Sequence, residues 1–268
     1  FYIVNFAVEF KVEIYTFFFM ALVHSLENNG NKLFKHRGQI PVFLFILAVP
    51  VVYFSDVSYI TSNDKLFYLF TGVAIGMSIL GQVIRSIAIG TSNKNTSGRN
   101  TKEQVAEALN TKGIYSTVRH PLYLGNYFMW IGIVFFTFNI WFIVTVSLLF
   151  WVYYERIMFA EERFLERKFG DSYVDWSNTI PAFWPSFKNY EKSPISFSMK
   201  TIMRREYAGI SATMLGFIFI AFLRDWFTSG NVPTSICYAY WVAGAFGLSL
   251  IFRTLKHNTK LLFEEDRS

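Results

Sequence analysis

Residues 119–158 read RHPLYLGNYFMWIGIVFFTFNIWFIVTVSLLFWVYYERIM. From Leu122 to Met158 the run is nearly all apolar, too long for one membrane helix, which needs about 20 such residues. Asn139 divides it into two spans joined by a tight hairpin turn. Arg119 and His120 stand at its mouth, and polar groups at the edge of a span are costly to place, so they mark a functional site. A second polar cluster follows the run: Glu161-Glu162-Arg163-Phe164-Leu165, then Phe169-Gly170 and Tyr173. The two clusters read as halves of one site, built where helices meet the aqueous phase.

The composition supports a membrane protein. Of 268 residues, 53% are hydrophobic, 20% aromatic and only 16% charged. A soluble domain carries about 25% charge. The net charge of +6 is read as cytoplasmic loops facing anionic headgroups rather than as a nucleic-acid footprint. The single cysteine, Cys237, excludes an intramolecular disulfide and a cysteine-based metal site. His24, His36 and His257 are scattered without metal-ligand spacing, so no metal is expected. No cleavable signal peptide is evident.

The hydropathy pattern predicts an all-α polytopic bundle of about seven transmembrane helices. They are Tyr2 to Leu26, Ile40 to Phe54, Leu66 to Ile89, the two arms of the hairpin, Tyr207 to Phe227 and Ser235 to Phe252. The loop charges alternate. Lys32, Lys35 and Arg37 fall between the first two spans, and only Lys65 in the next loop. Lys94, Arg99, Lys102, Lys112 and Arg119 crowd the third loop, and the hairpin turn has no basic residue. Residues 160–206 are again basic, Arg224 stands alone at the sixth loop, and Arg253, Lys256, Lys260 and Arg267 fill the tail. The positive-inside rule then puts the N-terminus outside and both polar clusters on the cytoplasmic face, with the chain in a bacterial inner membrane or the endoplasmic reticulum. Three units are expected: N-terminal helices over 1–65, a core over 66–190 and an extension of two spans over 191–268.

The loops near the clusters carry their own signals. Thr101-Lys102-Glu103-Gln104 reads as a capping box opening a short helix through Leu109. Tyr154 to Lys168 continues the fifth span out of the membrane, stopped by Gly170. Glu155 and Glu162 lie two turns apart on one face of that helix. Pro181-Ala182-Phe183-Trp184-Pro185 is a rigid apolar segment suited to running along the membrane surface.

Four ordered elements carry a resemblance. Gly113-Ile114-Tyr115-Ser116-Thr117-Val118 followed by RHPLYLG resembles the signature of the isoprenylcysteine carboxyl methyltransferase family and the related membrane phospholipid methyltransferases. The Glu pair with Leu165, Phe169, Gly170 and Tyr173 is similar to a second signature. Arg85-Ser86-Ile87-Ala88-Ile89-Gly90 upstream and the Pro181 to Pro185 close complete the set. Alone, Arg119 and His120 would read as an interfacial anchor, and the Glu pair as a solvated helix face; four elements in order favour a site. Trp176 departs from the family, where a tyrosine usually closes the Glu-pair motif, and the two last spans have no counterpart in its short members.

The resemblance implies a membrane enzyme that uses S-adenosyl-L-methionine and a lipidic or prenylated acceptor in the bilayer. Carried over, Tyr115, His120, Pro121, Leu122, Tyr123 and Glu162 bind the cofactor, and Leu109 and Asn110 lie in a stretch that lines it. Arg156 is the nearest match to an arginine that contacts substrate in the family. On charge alone, Arg119 or His120 suits the cofactor's carboxylate, and Glu161 or Glu162 its ammonium. A carboxylate acceptor needs no general base; an amine acceptor requires one, for which Glu155 and Glu162 are candidates. Carboxyl O-methylation of an isoprenylcysteine-like substrate leads, with N-methylation of an amine phospholipid headgroup and a sterol-type NADPH-dependent reductase as alternatives. A transporter fits less well, because the charges cluster at one face rather than at the midplane.

Overall fold

The computed structural model of the protein describes residues 21–92 and 104–264. Every regular element among them is helical. The helices are α1 over 21–36, α2 Ile40–Phe54, α3 Ser58–Thr61, α4 Asp64–Gly90, α5 Pro121–Phe135, α6 Ile140–Phe169, α7 Asp171–Thr179, α8 Met199–Ser229 and α9 Ile236–Asn258. A short 3₁₀ turn, Gly113–Ser116, precedes α5.

Local chemistry sets the helix ends. The Asn63 side chain accepts from Lys65 and Leu66 backbone N–H groups at 3.1 and 3.2 Å, capping α4. Pro121 opens α5, where its missing N–H costs nothing. Asn139 Oδ1 accepts the Phe142 N–H at 2.9 Å and starts α6, while its Nδ2 donates to Ser55 Oγ at 2.6 Å. The hairpin predicted at Asn139 is therefore present, with Phe136–Asn139 as the whole turn. Gly170, at φ 55°, ends α6 and lets α7 begin at once.

Small residues draw the central pair together. Ala74, Ser78 and Gly81 on α4 face Gly125 and Gly132 on α5, and a methyl at Gly81 or Gly132 would collide with facing backbone. Ser78 Oγ donates to the Met129 carbonyl at 2.8 Å, which satisfies the hydroxyl inside the interface. α8 packs on α2, α4 and α5, and α9 packs on α8. One core cluster, including Ala74, Ile131, Phe142 and Ile220, fills the bundle; a second, including Phe34, Val118, Tyr154, Ile157 and Phe183, lies beneath the polar end. Large apolar side chains such as Phe43, Ile79, Trp141 and Trp241 point outward, as a lipid-facing surface requires.

The expectation of about seven spans is met only in part. Among the described residues four helices, α4, α6, α8 and α9, are long and apolar enough to cross a membrane. α2 and α5 have 15 residues each, roughly 22 Å, short of a hydrocarbon core of roughly 30 Å. The expected first span lies mostly outside the described residues. Residues 27–36, expected as a loop, continue α1. Buried Phe34 packs against Val118 and Tyr154, and Tyr153 Oη donates to the Leu33 carbonyl at 2.8 Å. Charges at 27, 32 and 35 read as a loop because a solvated helix end has the same composition.

The short helix expected through Leu109 does not form over its described part. Residues 104–112 run irregularly, with Ala106 buried and Gln104 Nε2 donating to Asn31 Oδ1 at 3.1 Å. A helix of this length is marginal alone, and tertiary contacts override its capping signal. The 181–185 segment does not run free along a surface. The Arg119 and His120 N–H groups donate to the Pro181 and Ala182 carbonyls at 2.9 and 3.2 Å, and the Ser186 N–H to the Thr117 carbonyl at 2.9 Å.

Candidate active site

A cavity of about 440 Å³ opens at the polar end of the bundle, within the range of small-molecule sites. Its wall is made by the ends of α1, α4, α5, α6 and α8, by α7, and by the irregular 104–110 segment. The sequence-predicted residues Leu109, Asn110, Tyr115, Arg119, His120, Pro121, Leu122, Tyr123 and Glu161 all line it. The two polar clusters, about forty residues apart in sequence, do meet.

The Glu pair divides its work. Glu162 sits behind the wall and is fully engaged. Arg119 Nε donates to its Oε1 at 2.9 Å and Nη2 to its Oε2 at 3.3 Å, while His120 Nε2 lies 2.8 Å from Oε1. A carboxylate only accepts, so His120 Nε2 carries a proton in this arrangement. Arg119 Nη1 also donates to the Ile180 and Ser177 carbonyls at 3.1 and 2.5 Å, tying α7's end to the RHP segment. Glu161, the neighbour, faces the cavity. It accepts from Tyr123 Oη at 2.8 Å, and His120 Nδ1 lies 3.8 Å away. The His120 ring stacks on Tyr123 with centroids 5.6 Å apart, which fixes both.

A second ion pair lies in the cavity wall. Arg85 Nε and Nη2 donate to Glu206 Oε2 and Oε1, both at 2.7 Å, and Arg85 Nη1 donates to Asn126 Oδ1 at 2.6 Å. Gln82 Nε2 donates to Glu206 Oε2 at 3.2 Å. Arg37, Asn126, Arg205 and Glu206 line the cavity but were not foreseen as site residues. For the last two the available signal was the charged run Arg204-Arg205-Glu206 at the very edge of a span.

Two predicted residues are placed elsewhere. The Arg156 guanidinium donates to the Val152 carbonyl of its own helix at 2.8 Å and is not in the cavity wall. Glu155 is exposed and also outside the wall. Both lie one to two turns before the Glu pair on α6.

The wall contains polar atoms without partners among the described residues. They include the Trp176 indole Nε1 and Gln104 Oε1, both buried. Burial pushes the Tyr115 hydroxyl up to about 12 against a hydrogen bond with Ser92 that lowers it, so it remains a neutral donor. Burial also raises the Tyr173 hydroxyl. Unpartnered donors and acceptors beside the Glu161 carboxylate suit a polar ligand. No group of three or more His, Cys, Asp or Glu residues gathers as a metal site among the described residues.

An all-helical membrane protein with a polar cavity at one end is thus the class that fold and site define. Comparison with known proteins narrows it. Residues 69–172 match the family model described as phospholipid methyltransferase. The chain is also similar to proteins named protein-S-isoprenylcysteine O-methyltransferase. The relative from Schizosaccharomyces pombe is 32% identical over 45% of this chain and 51% of its own length. The Xenopus laevis relative is 30% identical over 46% and 43%, and the Dictyostelium discoideum relative 30% over 52% and 59%. The chain spans about half the length of the curated relatives it matches. No solved structure matches it. The resemblance drawn from the sequence motifs is borne out by these matches, and the family-model match over 69–172 includes Arg85, the RHP segment and the Glu pair.

Proposed function

We propose that this protein is a membrane methyltransferase that uses S-adenosyl-L-methionine and methylates the carboxylate of a prenylated cysteine. The observation that carries the reading is the meeting of the RHP and Glu-pair elements around one cavity that holds unspent polar groups. The names of the relatives support the acceptor class. The alternating loop charges support a cytoplasmic cavity in the endoplasmic reticulum or a bacterial inner membrane. Residues 66–190 form the catalytic core in this reading.

When bound, the cofactor supplies a methyl group already activated by its sulfonium. The protein's task is to hold donor and acceptor in line and to exclude water. Glu161, oriented by Tyr123, holds the cofactor's ammonium. Leu109, Asn110, Tyr115, Pro121 and Leu122 shape the rest of that side. Glu162 fixes Arg119 and His120 rather than touching ligand. Arg85, in the cavity wall, offers the donors for an acceptor carboxylate, which is ionised at neutral pH and needs no base.

The name of the matching family favours a second reading, N-methylation of an amine phospholipid headgroup. There Glu161, in the cavity wall, is the carboxylate available to take the proton. The first experiment is thermal protection of the purified protein in detergent. Stabilisation by S-adenosylhomocysteine and none by NADPH supports the methyltransferase reading. The reverse result replaces it with a nicotinamide-dependent reductase.

A further inference from the structure

We infer that Glu206 is a positioning residue of this site, and that α8 completes the acceptor wall although it lies outside the segment matched by the family. The inference rests on the methyltransferase reading and adds an element that the matched residues 69–172 do not contain. Glu206 is 1% exposed and sits in the cavity wall. Both of its oxygens are committed to Arg85, one also accepting from Gln82.

The geometry fixes how Arg85 is presented. A guanidinium has five N–H groups on a flexible stem. Nε and Nη2 are pinned by the two 2.7 Å bonds to Glu206, and one Nη1 hydrogen by Asn126 at 2.6 Å. One hydrogen on Nη1 and one on Nη2 have no partner among the described residues, and the side chain is 18% exposed at the cavity. Donors left on two neighbouring nitrogens suit the two oxygens of a carboxylate. Held by Glu206 along its Nε–Nη2 side, Arg85 keeps those donors in one orientation. Glu206 therefore sets both the direction and the selectivity of the donor, without touching the acceptor. A purely structural bridge between α4 and α8 would predict a different pattern, since a buried ion pair is weak evidence for stability by itself.

The test compares wild type, Glu206→Gln and Glu206→Asp in detergent. The probes are an N-acylated S-prenylcysteine, its carboxamide, and S-adenosylhomocysteine. Wild type is expected to bind the carboxylate more tightly than the carboxamide. In Glu206→Gln the KM for the carboxylate acceptor rises about tenfold or more, the preference over the carboxamide collapses, and S-adenosylhomocysteine affinity stays within about threefold. Glu206→Asp, which keeps the charge, recovers part of the preference and serves alone if the Gln variant does not fold. An unchanged KM and preference overturn the inference. So does a parallel loss of cofactor affinity, acceptor affinity and thermal midpoint, which marks a structural bridge. A wild type that binds S-adenosylhomocysteine but treats carboxylate and carboxamide alike overturns it while leaving the methyltransferase reading in place. A wild type that binds no S-adenosylhomocysteine removes the methyltransferase reading itself.

Discussion

Two arginine–glutamate clamps flank the cavity, and they differ in everything except chemistry. Arg119 and Glu162 join α5's start to α6, 43 positions apart, inside the segment matched by the family. Arg85 and Glu206 join α4 to α8 across 121 positions, and one partner lies outside that segment. The first clamp also takes in His120 and the carbonyls at Ser177 and Ile180, so it organises the backbone around the RHP segment. The second holds one guanidinium in the same cavity wall. The difference teaches that the same bidentate pair serves as an organiser of backbone in one place and as a holder of a single donor in the other.

The largest effect that can break this comparison is expected from Glu162→Ala. It strands Arg119 and His120 together, and removing one partner of this half-buried charged network costs about 1–3 kcal/mol. Denaturant unfolding in detergent should show that loss. Methyl transfer should fall at least about a hundredfold, because misplacing the RHP backbone by an ångström is enough. Equal sensitivity of cofactor and acceptor binding to Glu162→Ala and to Glu206→Gln would erase the distinction between the clamps.

Glu161→Gln sharpens the division within the Glu pair. S-adenosylhomocysteine affinity should drop about tenfold to a hundredfold, the size of a lost charge-assisted hydrogen bond. The unfolding free energy should stay within about 0.5 kcal/mol, since among the described residues the hydrogen bond Glu161 makes is from Tyr123 and the carboxylate lines the cavity. Tyr123→Phe removes the hydroxyl that orients Glu161. A loss of about 1 kcal/mol, roughly fivefold in the same affinity, is the expected result by calorimetry. Arg156→Ala should be nearly silent, with acceptor KM within about twofold, because that side chain bonds its own helix away from the cavity. A large rise in KM for that variant would restore the role the family pattern suggested.

Much of this was legible in the sequence, for identifiable reasons. The hairpin at Asn139 was visible because a nearly all-apolar run of that length is too long for one membrane helix. The α2 bounds, Ile40 to Phe54, and the stop at Gly170 followed from clean apolar edges and a glycine that accepts positive φ. The cavity-wall residues Arg119 to Tyr123 and Glu161 were legible because motif spacing fixes them locally at the start of α5 and on α6. What escaped depends on long-range pairing. Glu206 reads in sequence as one charge in a basic loop edge, and only the packing of α8 on α4 brings it to Arg85. Likewise Glu161 and Glu162 are interchangeable by composition, and rotation of α6 alone decides which faces the cavity. The capping signal at Thr101 to Gln104 lies mostly outside the described residues, and the stretch that follows it runs irregularly with Ala106 buried.

The most direct test of the central claim is transfer of labelled methyl from S-adenosyl-L-methionine to an N-acylated S-prenylcysteine by the purified protein, run beside Glu161→Gln. Wild type is expected to give base-labile counts in the acceptor, the mark of a methyl ester, and the variant at least about tenfold fewer at limiting cofactor. No base-labile counts from a wild type that remains folded and binds S-adenosylhomocysteine would contradict carboxyl methylation, and counts equal in the two proteins would contradict the role assigned to Glu161.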